Sequence, residues 1–384
     1  MSRRAVIEGV IRELASYERE SASAGERRAA DWLAGELREA GCRDVRVEEE
    51  RAHGGYWWPL GLLNAGSALA ALLGRLPAAL VGGTAAAALY DDVSGGRLWF
   101  RRKALPHRPT WNVMAELGDP DAPRTVVFIS HHDAAHSGLV FHPELPRIGM
   151  RLAPKLHERA NQSIPIIFGT FLGPVLLALW GVLGRRPLRR AGLFLAGATT
   201  AAMANIGASQ VVPGANDNLS AVGALVALAH ELEEEPPQDV RVILLSTGSE
   251  EGFMEGMQAF GRRHFPALDR ETTEFLCLEC VGSPHLCIVE AEGMLRMRHY
   301  TDSSRDRLER AGEEAGVELT RGLRTVAATD ALIALRAGYQ TCTLGGVDET
   351  KFPSNYHWPS DMPDNLTWSS IEGAVEVCLR YLRG

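Results

Sequence analysis

Apolar residues recur at three- and four-residue intervals near the start of the chain: Val6, Ile7, Val10, Ile11 and Leu14, then Ala29, Trp32, Leu33 and Leu37. That spacing keeps one face of a helix apolar and predicts amphipathic helices over residues 2–17 and 24–40. Gly41 suits the turn that ends the second helix, and residues 45–49 alternate apolar and polar like a strand. Short, β-branched apolar runs return at 111–117, 125–130, 239–247, 274–281 and 340–344. Helical patterns separate or follow them at 219–235, 252–265, 302–315, 330–337 and 369–382. Strands alternating with helices predict an α/β fold, a mixed sheet covered by helices on both faces. There is no internal repeat, and a single domain with insertions accommodates residues 1–384.

Two intervals break this rhythm. Residues 54–74 carry no charge for 21 positions, and after Arg75 another 15 uncharged residues follow, to Tyr90. Residues 160–184 are uncharged for 25 positions; after the Arg-rich stretch 185–190, residues 191–216 are uncharged for 26. About 20 apolar residues suffice to cross a bilayer as a helix. Each interval therefore predicts a hydrophobic helical hairpin, one inserted at 54–96 and the other at 139–210, with a bilayer as partner of residues 54–90 and 160–210. Tyr56, Trp57 and Trp58 stand where interfacial aromatic anchors would. A hairpin buried inside a large core is the alternative.

Composition narrows the class. With 40 Lys and Arg against 48 Asp and Glu, the net charge of −8 and the absence of a basic, aromatic-laced stripe argue against a nucleic-acid partner. Residues 1–50 are charged throughout and hold no apolar leader segment. Six cysteines in this length predict reduced thiols, with Cys277 and Cys280 as core residues of a strand rather than metal ligands.

The chemistry-bearing residues cluster where predicted strands end. His131 closes the 125–130 strand and precedes His132 and Asp133; Asp217 lies in a Gly/Asn-rich loop before a helix. Glu250 and Glu251 follow the 239–247 strand, Glu279 lies in the next strand run, and His357 sits in a loop after the last strand. Ligands of open α/β sheets bind beyond the carboxyl ends of the strands. Two imidazoles with several carboxylates suit Zn²⁺ or a related divalent ion, and one bridging carboxylate could hold two. Adjacent glutamates on a turn diverge, so one can ligate while the other moves a proton. Asp133 is placed to fix the ring of His131.

The ordered set HHD (131–133), GANDN (214–218), SEEG (249–252), LECVGSP (278–284) and YHWPSDMPDN (356–365) resembles the M28 family of zinc aminopeptidases. NVMAEL (112–117) and TDALIALRAG (329–338) are also similar to family segments. The resemblance spans roughly residues 1–50, 98–137 and 211–384, and it implies two Zn²⁺ per chain. It implies His131 as a ligand of the first ion, Asp217 as the carboxylate bridging both, and Glu251 completing the first site. Glu279 and His357 fall at the remaining ligand positions. Glu250 matches the general base, Asp133 the partner of His131, and Tyr356 could stabilise the oxyanion. The implied reaction is hydrolysis of a peptide or amide bond, as an aminopeptidase. An amidase, a glutaminyl-cyclase-like acyl transfer and a non-catalytic binding relative are the alternatives.

Three positions depart from the family. Glu279 replaces the usual Asp, Met257 stands where Ser is common, and 85 residues separate His131 from Asp217 where the family has a short loop. The second hairpin fills that gap and returns directly into the loop of Asp217. It is therefore expected to wall the substrate entrance, which makes a hydrophobic or lipid-linked substrate conceivable. Two complete hairpins put the catalytic parts of a multi-pass membrane protein on the side of the N-terminus, the cytoplasm.

Overall fold

The computed structural model describes residues 1–95, 97–161 and 167–383. Helices α1 (Arg3–Leu14) and α2 (Ala24–Glu39) lead into strand β1 (Arg43–Ala52). The hydroxyls of Ser2 and Ser23 accept first-turn amides of these helices, satisfying donors that have no partner within the helix. Gly41 follows α2 at φ +85°, in the left-handed conformation that ends a helix cheaply only for glycine. Helices α3 (Trp57–Leu73), α4 (Arg75–Val93) and the short α5 (Trp99–Ala104) precede β2 (Arg108–Gly118) and β3 (Arg124–His131). Then α6 (Glu144–Leu152), α7 (Pro154–Arg159), α8 (Phe168–Leu183) and α9 (Arg186–Ala208) fill the long interval before α10 (Ser220–Glu234). The chain continues through β4 (Val240–Thr247), α11 (Glu255–His264), β5 (Thr273–Glu279), β6 (His285–Glu292) and β7 (Arg298–His299). It ends with α12 (Asp302–Ala315), β8 (Thr320–Thr325), α13 (Ala331–Ala337), β9 (Gln340–Val347) and α14 (Trp368–Arg383).

The strands form one sheet in the order β1-β2-β4-β3-β5-β9-β6-β7, with β8 beside β6. Its centre, β4-β3-β5-β9, is parallel, so Val127 pairs with both Ile243 and Phe275. β1 runs antiparallel to β2, β2 to β4, and β6 to β9, which makes the sheet mixed. Alternation along β3 sends Val126 and Phe128 into the layer of α1, α2, α10 and α14. Val127 and Ile129 go to the opposite layer, with Met257 and Phe260 of α11, Leu332 of α13 and Leu60 of α3. Burial on both faces is why these strands read as continuous apolar runs.

The two uncharged intervals meet in space. Helices α3, α4, α8 and α9 pack as a four-helix bundle beside the second layer. Its helices approach closely: a Cβ on Gly181 would lie 2.5 Å from the Ala79 backbone nitrogen. Asn64 Nδ2 donates to the carbonyls of Leu60 and, across helices, Thr170 at 3.0 Å. The helix bounds differ from the expected arms. Arg186, Arg189 and Arg190 belong to the first turns of α9, which ends at Ala208 rather than 216. Among the described residues only α9 is both long and apolar enough to cross a membrane; α3 and α8 are apolar but 17 and 16 residues long. Of the expected spans, residues 162–166, and residue 96 at the end of the first insertion, lie outside the described residues.

Sequence patterning missed α5–α7 and β6–β8. β7 has only two residues, and the TRGLRT of β8 has one large apolar side chain, so neither carries a period of two.

Candidate active site

The parallel strands end on one edge of the sheet and carry the chemistry there. β3 ends on His131, β5 ends on Glu279, β4 runs into Gly248–Gly252, and β9 leads to the loop of Tyr356 and His357. The segment Gly214–Leu219 arrives at the same edge ahead of α10. Gly214 sits at φ +60°, and a Cβ on it would stand 2.7 Å from the carbonyl oxygen of Asp217. Only glycine turns here. The Asp217–Asn218 peptide is cis.

Asp217 lies between two imidazoles. Its Oδ1 is 3.2 Å from His131 Nε2 and its Oδ2 is 3.2 Å from His357 Nε2. Glu279 Oε1 stands 3.6 Å from the same nitrogen of His131, and Glu251 Oε2 stands 3.2 Å from that of His357. Two donor sets thus share Asp217: His131 with Glu279, and His357 with Glu251. The resemblance had assigned Glu251 to the site of His131. Its carboxylate does group with His131 and Asp217 within 4.8 Å, but its nearest imidazole is that of His357. The cause is the turn. Ser249 takes φ +47°, and consecutive side chains beyond it diverge, Glu250 toward His131 Nε2 at 3.9 Å and Glu251 toward His357.

The surrounding residues hold these groups in place. Asp133 Oδ1 lies 3.3 Å from His131 Nδ1. The same carboxylate accepts the amides of Glu250 and Glu251 at 3.1 and 3.2 Å and the Ser21 hydroxyl at 2.6 Å. Asp133 therefore positions one imidazole and the glutamate turn together. Asp361 accepts the amides of Asn216 and Asp217 at 2.6 and 3.1 Å. Asn218 Nδ2 donates to Glu279 Oε2 at 3.2 Å. Glu26, buried in α2, accepts both the amide and the hydroxyl of Ser249 at 3.1 Å. The Tyr356 ring stacks on His357 with centroids 3.8 Å apart.

Burial crowds like charges here. It pushes Glu250 well above the carboxylate range, and Glu279 to about 7 despite the neighbouring His131 imidazole. Burial also opposes the charge of Asp217, yet the two imidazoles beside it hold it low. Burial likewise works against protonated His357, but the neighbouring Glu251 and Asp217 raise it to about 10. A buried set of carboxylates needs positive charge among its members. The donors fit zinc: His131 Nε2 and Glu251 Oε1 are buried without hydrogen-bond partners. Each of the two sets supplies imidazole nitrogen and carboxylate oxygen around a shared Asp217, as tetrahedral N/O sites do.

All eight residues singled out in the sequence, His131, Asp133, Asp217, Glu250, Glu251, Glu279, Tyr356 and His357, come to this one edge. Asp361 and Asp330 were overlooked, although both lie in quoted motif segments; Asp330 accepts the Thr247 hydroxyl. Glu26 and Ser21 had no signal, since a charged first turn and a serine before it resemble solvent-facing helix ends. Cys280, expected in the core, is buried, with Sγ 3.6 Å from Glu279 Oε1, and joins Asp217 and Glu279 in a second group of potential ligands. Met257 is fully buried in the core, where a serine hydroxyl would need a partner.

Residues 200–382 match the profile of peptidase family M28. No curated protein sequence matches the chain. Among solved structures, a Zn-dependent exopeptidase from Parabacteroides distasonis is similar at TM-score 0.58 and 12% identity, over 99% of this chain and 97% of that one. Tannerella forsythia glutaminyl cyclase is similar at TM-score 0.60 and 14% identity, over 99% and 97%. A leucine aminopeptidase precursor from Bacteroides thetaiotaomicron follows at 0.54 and 13%, over 99% and 96%. At these identities the structures speak for the fold alone. The family profile starts inside α9 and so excludes His131, which the sheet brings back to Asp217. Residues 200–382, just under half of the chain, are similar to peptidase family M28.

Proposed function

We propose that the protein is a membrane-associated aminopeptidase that hydrolyses peptide or amide bonds with two zinc ions. The observation that carries the two-ion reading is Asp217, whose two oxygens each stand 3.2 Å from a different imidazole. His131, Asp217 and Glu279 would hold one ion, and Asp217, Glu251 and His357 the other. When bound, the ions polarise the scissile carbonyl and acidify the attacking water. Glu250 takes the proton of that water at its carboxylate and returns it to the leaving amine as the C–N bond breaks. Asp133 keeps Glu250 in register through the Glu250 amide. The Tyr356 hydroxyl donates to the carbonyl oxygen as negative charge develops there.

The membrane reading rests on the outside of the bundle. Leu73, Leu76, Val182 and Phe194 are 81%, 69%, 68% and 73% exposed. Monomeric soluble proteins rarely present contiguous apolar surface of this kind. At the bundle's catalytic side, α6 and α7 expose Leu145, Ile148, Leu152 and Leu156, interleaved with Arg147, Arg151, Lys155 and Arg159. Such a basic amphipathic pair suits the headgroup layer of a bilayer; its cations favour the cytoplasmic side, against the Arg cluster at 185–190, which argues for the other.

The test is zinc content of detergent-purified protein, paired with Glu250→Gln on a panel of aminoacyl amides. About two zinc per chain in both proteins, with turnover reduced roughly 10²–10⁴-fold in the variant, supports the reading. About one zinc, with pyroglutamate formed from N-terminal glutamine, would turn it toward cyclase-like acyl transfer. Release of a fatty acid instead would mark an amidase. No metal and no turnover would leave a binding relative.

A further inference from the structure

The active-site edge opens into a cavity of about 540 Å³ that one face of α9 lines on its inner side. Leu195, Ala198, Thr199, Ala202, Met203 and Ile206 all line it, at spacings of three and one. These positions share one helix face, a stripe of eleven residues' rise, about 16 Å long. At the site end of the stripe, Phe141 packs on His357 with centroids 4.6 Å apart. Asp217, Glu250, Glu251 and Glu279 line the same cavity. Across from α9 stand Val289, Leu323, Val326, Val347 and Phe352, with Arg324 and Lys351 at that wall. Lys351 is engaged, its Nζ donating to the carbonyls of His157 and Ala160 at 2.8 Å.

Farther from the site the wall thins. Met203 and Ile206 are buried, but Ala198 is exposed and Leu195 half-buried. Beside them Phe194, Phe168 and Leu172 face outward, 73%, 40% and 43% exposed. The chamber is thus closed at the ligand set and open along the bundle, at the depth where the bundle is apolar outside. A polypeptide lying here would bring amides and carbonyls that need partners, and the α9 stripe offers one polar side chain, Thr199. A hydrocarbon chain needs none.

We infer that the substrate is an amide bearing a long apolar chain, which lies along the α9 stripe and is loaded from the hydrocarbon layer beside the bundle. This rests on the hydrolase and membrane readings above. Small residues at Ala198 and Ala202 keep the passage wide, and each methylene seated in it adds apolar burial to binding.

The experiment uses the full chain in lipid nanodiscs, with leucine methylamide through leucine dodecylamide, and with methylamides of amino acids of increasing linear side chain. In one of the two series kcat/KM rises by up to about fourfold per methylene, at least tenfold overall. Ala198→Trp and Ala202→Trp, which block the stripe at two depths, each lower the longest-to-shortest ratio of the responding series at least tenfold. A flat response in both series, with the methylamides cleaved, overturns the chain inference and leaves the hydrolase. An equal slope in both tryptophan variants overturns it too, because partitioning into lipid alone then explains the preference. Failure to cleave any member, short or long, sinks the hydrolase reading with it.

Discussion

Asp361 donates nothing to a metal, yet it accepts the amides of Asn216 and Asp217 and so sets where the shared carboxylate points. Replacing it with alanine is expected to weaken zinc binding 10- to 100-fold, the usual range for a residue that orients a ligand; metal-buffered activity titrations measure it. Glu292 carries a different consequence. It is fully buried, accepts the Tyr300 hydroxyl and the Thr329 amide, and burial raises it from 4.5 to about 7. The folded state therefore holds its proton more tightly than the unfolded chain. The stability it contributes is complete below pH 4.5 and is lost as pH rises through 7. Glu292→Gln should match the parent at pH 4 and exceed it at pH 8 by on the order of 2–3 kcal/mol, read by denaturant unfolding at the two pH values. Equal differences at both pH values would refute that. The candidate ligands were legible because histidines and acids at strand ends form a pattern. Glu26 was not, because nothing local distinguishes a buried acid from a solvated one.

The bundle helices illustrate how an element's role is set by its neighbours. The backbones of α4 and α8 meet at Gly181 with no room for a Cβ beside Ala79. Gly181→Val is predicted to cost about 1–3 kcal/mol, whereas Leu73→Ala on the outer face of α3 should change stability by less than about 0.5 kcal/mol. Thermal unfolding in detergent distinguishes the two. Composition alone made these four segments look like separate hairpins; packing between α3 and α9 and between α4 and α8 joins them into one body. The same limit hid β8, whose partner β6 supplies the pairing that its own sequence does not advertise.

At the scale of the whole molecule, the ligand set ties β3, β4, β5, β9 and the start of α10 together at one edge. Zinc removal should therefore cost stability as well as activity. With zinc at a thousand times its dissociation constant, chelation is expected to remove about 4 kcal/mol, with both losses reversed by added zinc; calorimetry with and without chelator checks it. Membrane association predicts that the full chain stays in the pellet after alkaline carbonate extraction of membranes, and release into the supernatant would refute an integral bundle. The sequence by itself determined the α/β class, the residues that meet at the sheet edge and the two uncharged intervals, since periodicity, residue type and the order of motifs are properties of the chain alone. Only the tertiary structure decided that Glu251 faces His357, that Glu26 and Asp361 brace the site, and that one face of α9 walls the cavity. Those depend on which side chains meet across hundreds of positions, and direction and contact are not encoded in local spacing.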